Sequence, residues 1–494
     1  MGIVRKQSIQ SSIISYSGAA IGFINKILIF TYFLTEEEVG LANILMALGL
    51  LFAQFSALGY INVTLRFFPY FRDKKRGHHG FLFWTVIISL IGFLFVSFNF
   101  VLWKPLIIDR FSDKSPLLVE YYYYIIPVGF FTLYFNLFES YLRSLYKTVI
   151  PTLFQEVFLR LFVTLSVLLY AFEWVNFEMF VLIYVGMICS VTLFMLIYII
   201  YLGQLHLKPK ISWRFKTLNR RMIIFGSFAF LSNISASLLY NIDSVMLADF
   251  KGMASVGIYT TTYYITALLL IPWRAIQKIT SPMIADYWQE NNLKAMGELY
   301  QRTSLLGFVL GAFLFVAMMT NTHNLFALMS PAYSDGLMVL VYIGITRVID
   351  MVTGLNGYIL ITSKLYRYDL VLNLFLVIFA IFTNWLLIPQ YGIDGAALAT
   401  AISLSAIHMV RTIFIYYHFR LQPFSKPMLL VLIATFAAYS AQYFIPIFSQ
   451  WWLDLLIRGF VISIVYAGTV LALHISSDAN NLFQMLLKKL NLNK

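Results

Sequence analysis

Apolar residues fall in runs of about 20, the length that carries a helix across the ~30 Å hydrocarbon core of a bilayer. Short polar stretches separate the runs. The pattern predicts about fourteen spanning helices, at 9–34, 40–65, 80–103, 118–142, 151–172, 177–203, 222–248, 255–278, 303–322, 336–361, 369–389, 394–417, 428–448 and 454–474. The expected fold class is an all-α integral membrane protein. Two further stretches read as amphipathic. One, 281–302, is expected to be a loop helix. The other, 478–494, puts Leu482, Phe483, Leu486, Leu487 and Leu490 on one face against Lys488 and Lys489, as in a helix lying along the inner membrane surface.

Composition agrees. Of 494 residues, 60% are hydrophobic and 12% charged, about half the charge of a soluble domain. Arg5 and Lys6 precede an apolar run that lacks a small-residue cleavage site, so the run reads as a first span. The lone cysteine, Cys189, lies within a span and gives no disulfide framework. The net charge of +13 is explained by loops. With the N-terminus in the cytoplasm, the inward loops hold most of the Lys and Arg, notably Arg72-Asp73-Lys74-Lys75-Arg76 and the 208–221 connection. No nucleic-acid partner is therefore expected, and both termini are expected in the cytoplasm. Trp103, Tyr121 to Tyr124, Trp174, Trp385, Trp451 and Trp452 fall at span ends, where amphipathic rings prefer the interface.

The halves echo one another. Glu38-Val39-Gly40-Leu41 opens the second span and Ser255-Val256-Gly257-Ile258 the eighth, with Pro69 and Pro282 following at similar distances. Repeats of six helices are a common transporter plan. The expected organisation is a six-helix bundle over 1–203, a basic cytoplasmic linker over 204–221, and a second bundle over 222–418. Helices 13 and 14 follow over 419–474, then an amphipathic tail over 475–494.

Several chemistries are absent. No Gly-x-x-x-x-Gly-Lys-Ser/Thr occurs, so this chain has no P-loop. No His-Glu-x-x-His or Cys/His cluster is present. The outward loops are short. We therefore expect no enzyme, catalytic residue, metal or cofactor.

Charges inside the membrane are costly and mark function by default. They are Lys26 in span 1, Glu156 and Arg160 in span 5, Asp243 in span 7, Arg347 and Asp350 in span 10, Arg411 in span 12 and Arg458 in span 14. Glu156/Arg160 and Arg347/Asp350 have helical spacing and can neutralise each other. Arg458 and Arg411 can snorkel towards water; Lys26 sits deeper and is harder to account for in that way. Lys26 and Asp243 match when Gly40 is aligned with Gly257, and can face each other across a cleft. The cations outnumber the acids, which suits an anionic head group such as a pyrophosphate. Lys26, Arg160, Arg347 and Arg411 are the candidate substrate-binding residues. Asp243, Glu156 and Asp350 are candidates for charge balance or ion coupling. Pro127, Pro272, Gly18 and Gly22 read as bending points or static kinks. His408 reads as a buried, hydrogen-bonded histidine, with proton coupling as the alternative.

Three stretches carry a family resemblance. Phe33-Leu34-Thr35-Glu36-Glu37-Glu38-Val39-Gly40 resembles the acidic turn and glycine after the first helix of the polysaccharide transporter family. Val256 to Tyr264 resembles the opening of its eighth helix. Ile388-Pro389-Gln390-Tyr391-Gly392-Ile393-Asp394-Gly395-Ala396-Ala397 is similar to its Pro-x-Tyr-Gly-x-x-Gly-Ala-Ala signature. These Wzx-type flippases belong to the multidrug/oligosaccharidyl-lipid/polysaccharide exporter superfamily. The resemblance implies two six-helix bundles around a cationic central cavity in the bacterial inner membrane. It implies transfer of an undecaprenyl-pyrophosphate-linked oligosaccharide (an O-antigen, capsule or exopolysaccharide unit) from the cytoplasmic to the periplasmic leaflet by alternating access. H+ or Na+ are the candidate coupling ions, and glycan polymerase machinery is a candidate partner. The alternatives are a multidrug/cation antiporter of the same superfamily, a flippase for the peptidoglycan lipid precursor and, less favoured, a membrane glycan polymerase or ligase.

Overall fold

The computed structural model describes residues 2–209 and 213–475, and all regular structure among them is helical. Among the described residues, twelve helices are long and apolar enough to cross a membrane. The helices Met253–Ala267 and Leu270–Gln289, bent by 53° at a short break, are together long and apolar enough for one more crossing. The helical stretch Tyr366–Phe419 contains 54 residues, about 80 Å at 1.5 Å per residue, far more than one crossing needs. It is interrupted at Gly392, with φ +58° and ψ −125°, a conformation open only to glycine. Asp369 pairs with Arg411 and Thr383 with Ser403, so the two arms fold back antiparallel about that residue. Splitting this stretch brings the spans to fourteen, as the hydrophobic pattern predicts.

Several boundaries depart from expectation. The second span is Glu36–Ser56, opened by a capping box in which Thr35 and Glu38 exchange hydrogen bonds. The chain then turns through Leu58 and Gly59, both at positive φ, into a separate helix, Tyr60–Phe71. The stretch 281–302 is not one loop helix. Its first part completes Leu270–Gln289, and after Asn291 (φ +53°) Asn292 caps Leu293–Thr320. Span 10 stops at Thr353 and a short helix, Asn356–Thr362, follows. Pro127 and Pro272 break no ladder. Each is the third residue of its helix, where the missing N–H would have no intrahelical acceptor. The 53° bend lies before Pro272 rather than at it. The amphipathic segment 478–494 lies outside the described residues, as does 210–212 of the basic linker.

The chain packs as two compact units, 1–260 and 261–494. In the first, Glu36–Ser56 lies against Ile125–Ser144, Phe81–Leu102 and Trp213–Phe250. Span 7, placed at the head of the second bundle by the repeat, thus packs within the first unit. The packing division does not bear on the repeat itself, and the six-helix division at 204–221 remains a proposal. In the second unit, Val309, Ala312 and Val316 pack with Val431, Ala434, Ala438, Ile462, Tyr466 and Val470, which joins span 9 to the last two helices. Another cluster gathers Ile284, Met296, Tyr300, Leu355, Ile359, Ile415 and Leu421.

Large apolar side chains such as Leu94, Phe95, Phe98 and Ile378 point outward, as lipid-facing positions do. Trp103, Trp174, Trp385, Trp451 and Trp452 are exposed, as interfacial anchors are. Tyr121 and Tyr122 are instead buried, and the Tyr122 hydroxyl donates to the Phe100 carbonyl at 2.6 Å.

Candidate functional site

In the first unit the candidate residues gather where spans 1 and 5 meet. Lys26 lies in a π-helical stretch, Ile24–Ile29, and Glu156 in another, Phe154–Phe158. Among the described residues these are the two π stretches. Such widened turns are rare and occur disproportionately at functional sites. Buried Asn25 ties the two helices together. Its Nδ2 donates to the Arg160 carbonyl at 2.8 Å, and its Oδ1 accepts from Thr164 Oγ1 at 2.6 Å. Gly18 allows the close approach, since a Cβ there would fall 2.5 Å from the Glu156 carbonyl oxygen. Gly18 therefore serves this close packing.

Arg160 Nη2 reaches Glu156 Oε2 at 2.7 Å, which is the self-neutralising pair the spacing allows. Lys26 Nζ donates to Asn43 Oδ1 at 2.8 Å, and the positive charges of Lys26 and Arg160 are near enough to repel. Glu139 on span 4 is within electrostatic reach of Glu156 and lies 3.7 Å from Arg143. Buried Asp243 accepts the Tyr259 hydroxyl at 2.7 Å. Lys26 thus has Asn43 as a hydrogen-bond partner and Asp243 has Tyr259.

In the second unit Arg347 is buried, with its guanidinium 4.9 Å from the centre of the Tyr263 ring. Asp350 approaches His408, at 3.6 Å from Oδ1 to Nε2, across two helices. Arg411 does not snorkel. Its Nη2 lies 2.8 Å from Asp369 Oδ1 and 2.8 Å from Asn373 Oδ1. Nor does Arg458, which is 3% exposed and bound at 3.0 and 3.2 Å to fully buried Asp454. Asp454 also accepts from Asn324 and the Phe448 amide and contacts His323 Nε2. His408 is not the hydrogen-bonded histidine that was expected: Nδ1 is buried without a hydrogen bond.

Sequence reasoning missed Glu139, Asp369 and Asp454. Asp454 had a visible signal, since it stands four residues before Arg458 on one helix face. With these acids included, Arg160, Arg411 and Arg458 each face a carboxylate, and the surplus of cations read from the sequence disappears. Lys26 meets an amide oxygen and Arg347 an aromatic ring.

Comparison with known proteins agrees with this fold. The chain is 25% identical over 181 residues to the probable flippase AglR of Haloferax volcanii, covering 36% of this chain and 38% of that protein. The chain thus spans well under half the length of this curated relative. Among solved structures, the lipid II flippase MurJ in an inward closed conformation superposes with a TM-score of 0.74, at 13% identity, over 94% of this chain and 99% of MurJ. An inward-facing multidrug resistance MATE family transporter of the MOP superfamily gives a TM-score of 0.62 at 16% identity, over 82% of this chain and 94% of that one. At such identities the likeness establishes the fold. Residues 4–288, more than half of the sequence, match the polysaccharide biosynthesis protein family, and the chain belongs to that family.

Proposed function

We propose that this protein is a flippase that moves a polyprenyl-pyrophosphate-linked oligosaccharide, with undecaprenyl as the carrier, from the cytoplasmic to the periplasmic leaflet of a bacterial inner membrane. The observation that carries the reading is the junction of spans 1 and 5. There, two π-helical stretches hold Lys26 and Glu156, with Arg160 one turn on, inside the region that matches the polysaccharide biosynthesis family. Charged groups held on distorted helices within a membrane are costly to keep and serve substrates or ions. Lys26 supplies a compact positive charge and Arg160 a planar fork suited to two phosphate oxygens. Glu156 occupies that fork until an anionic head group displaces it. Arg347 and Arg411 are the further candidates for the anionic head group, with Arg411 held by Asp369 in the present state.

The likeness to a probable flippase supports this reading, and the MurJ and MATE folds are consistent with alternating access. The protein acts as a transporter rather than an enzyme, with both termini in the cytoplasm and the bilayer and lipid-linked glycan as partners. Candidate coupling ions are H+ and Na+.

The test is a strain lacking the gene, with lipid-linked glycans extracted and their sidedness measured. Accumulation of repeat units facing the cytoplasm, with loss of the surface glycan, is expected. Normal glycan with new sensitivity to cationic dyes would favour the multidrug antiporter, and failure of peptidoglycan precursor export the peptidoglycan-lipid flippase. Accumulation on the periplasmic side would mean that the protein acts after translocation.

A further inference from the structure

Among the described residues of the second unit, the ionic contacts that join side chains within the membrane spans differ in kind. Arg411–Asp369 and Arg458–Asp454 are short, at 2.8 and 3.0 Å, and each is reinforced by hydrogen bonds from amide groups. Both use arginine, which stays charged at any physiological pH. Asp350–His408 is looser, at 3.6 Å, and Nδ1 of the same ring is buried without a hydrogen bond. Histidine is the side chain whose ordinary titration falls near neutral pH. A buried imidazole beside a carboxylate, with neither protonation state fixed by a full set of hydrogen bonds, is built to gain and lose a proton.

The surroundings set the sign. Arg347 shares the helix of Asp350, and Arg411 shares that of His408; both charges reach the imidazole. Asp369, on the preceding arm of the Gly392 hairpin, holds Arg411. Neighbouring helices hold the backbone around the pair. Asn356 donates to the His408 carbonyl, Gln277 to the Gly354 carbonyl and Tyr300 to the Thr353 carbonyl. One proton added to His408 raises the charge of this group by one, beside Arg347.

We propose that Asp350 and His408 form a proton-binding site, and that it takes up one proton from water as an anionic phosphate group binds beside Arg347. The phosphate half of this statement rests on the flippase reading; the proton half rests on the geometry alone.

The test uses the purified full-length protein, His408→Gln and Asp350→Asn, each first checked for monodisperse elution. Infrared difference spectra between about pH 6 and about pH 8.5 report proton binding without any ligand. Imidazole and carboxyl bands are expected in the wild type, the His408 component vanishing in H408Q and the Asp350 component in D350N, over the signal of the other six histidines. Binding of geranyl pyrophosphate is then followed against pH. Wild-type affinity should fall by up to about tenfold per pH unit as the site deprotonates, and H408Q should vary by less than about twofold over the same range. Variants whose spectra match the wild type would overturn the proton site, as would an unchanged pH slope in H408Q. Bands that vanish as expected, in a protein that binds no pyrophosphate at any pH, would uphold the proton site and overturn the phosphate reading.

Discussion

Gly40 and Gly257 meet backbone to backbone, and each faces the carbonyl oxygen four residues before the other. A Cβ on Gly40 would fall on the Met253 carbonyl and one on Gly257 on the Glu36 carbonyl. The cross-distances to the opposite glycine nitrogen are 3.2 and 3.1 Å. The contact is self-complementary, as at a two-fold axis. These are the positions at which the repeat aligned the second span with the eighth.

That contact leaves no room for a methyl group, and the obstacle is backbone, which cannot rotate away. Gly40→Ala and Gly257→Ala should each destabilise the described arrangement by about 1–3 kcal/mol, read as a lowered Tm of the purified protein. A wild-type Tm in both variants would mean that the helices do not meet in this way.

For the junction of spans 1 and 5, Lys26→Ala and Arg160→Ala should each reduce glycan export by at least about tenfold, the loss of one charged contact, with the protein still present in the membrane. Arg160→Lys should restore little, because an ammonium cannot reproduce the two-pronged contact. Full export by K26A and R160A, scored by surface glycan in a deletion strain, would remove these residues from the substrate path.

The Asp454 cluster makes a different prediction. Asp454→Ala leaves Arg458 buried with its carboxylate removed and should cost about 3–5 kcal/mol. Replacing both together, as Asp454→Leu with Arg458→Met, should recover much of that loss. Thermal denaturation of the three proteins decides the matter. A double variant no more stable than D454A would show that the pair does more than neutralise itself.

Gly392 offers a backbone test. Any other residue there must adopt φ +58°, ψ −125°, so Gly392→Ala should cost about 1–3 kcal/mol and lower the yield of folded protein in the membrane. Gly395→Ala is a poor control, because its Cβ would meet the Leu387 backbone. Gly459→Ala, where a Cβ meets nothing, is a sound one.

Much of the fold could be read from the sequence because hydrophobic length is imposed by the bilayer itself. Fourteen apolar runs became fourteen spans. What failed was local or distant. The turn at Leu58–Gly59 falls in an apolar run where Gln54, Ser56 and Gly59 are the local signals, residues that a continuous spanning helix also tolerates. The π-helical stretches around Lys26 and Glu156 have no hydrophobic signature, since they arise from packing against a neighbouring helix. Arg411 is paired by Asp369 and Asn373 from another helix, at a sequence separation that periodicity cannot bridge. Asp454 was the avoidable error. It stands one helical turn from Arg458, but at the very edge of the apolar run, where acids are easily assigned to the loop.

The hairpin about Gly392 also bears on how the chain enters the membrane. Its first arm carries Asp369 and its second Arg411, and the two meet across the fold. Inserted singly at the translocon, an arm would present a bare charge to lipid, at about 2.5–3.5 kcal/mol when central. Inserted as one piece, the arms bring their opposite charges in already joined. The absence of a loop between them makes that joint delivery the shortest route, so biogenesis and the resting ion pair are served by the same glycine.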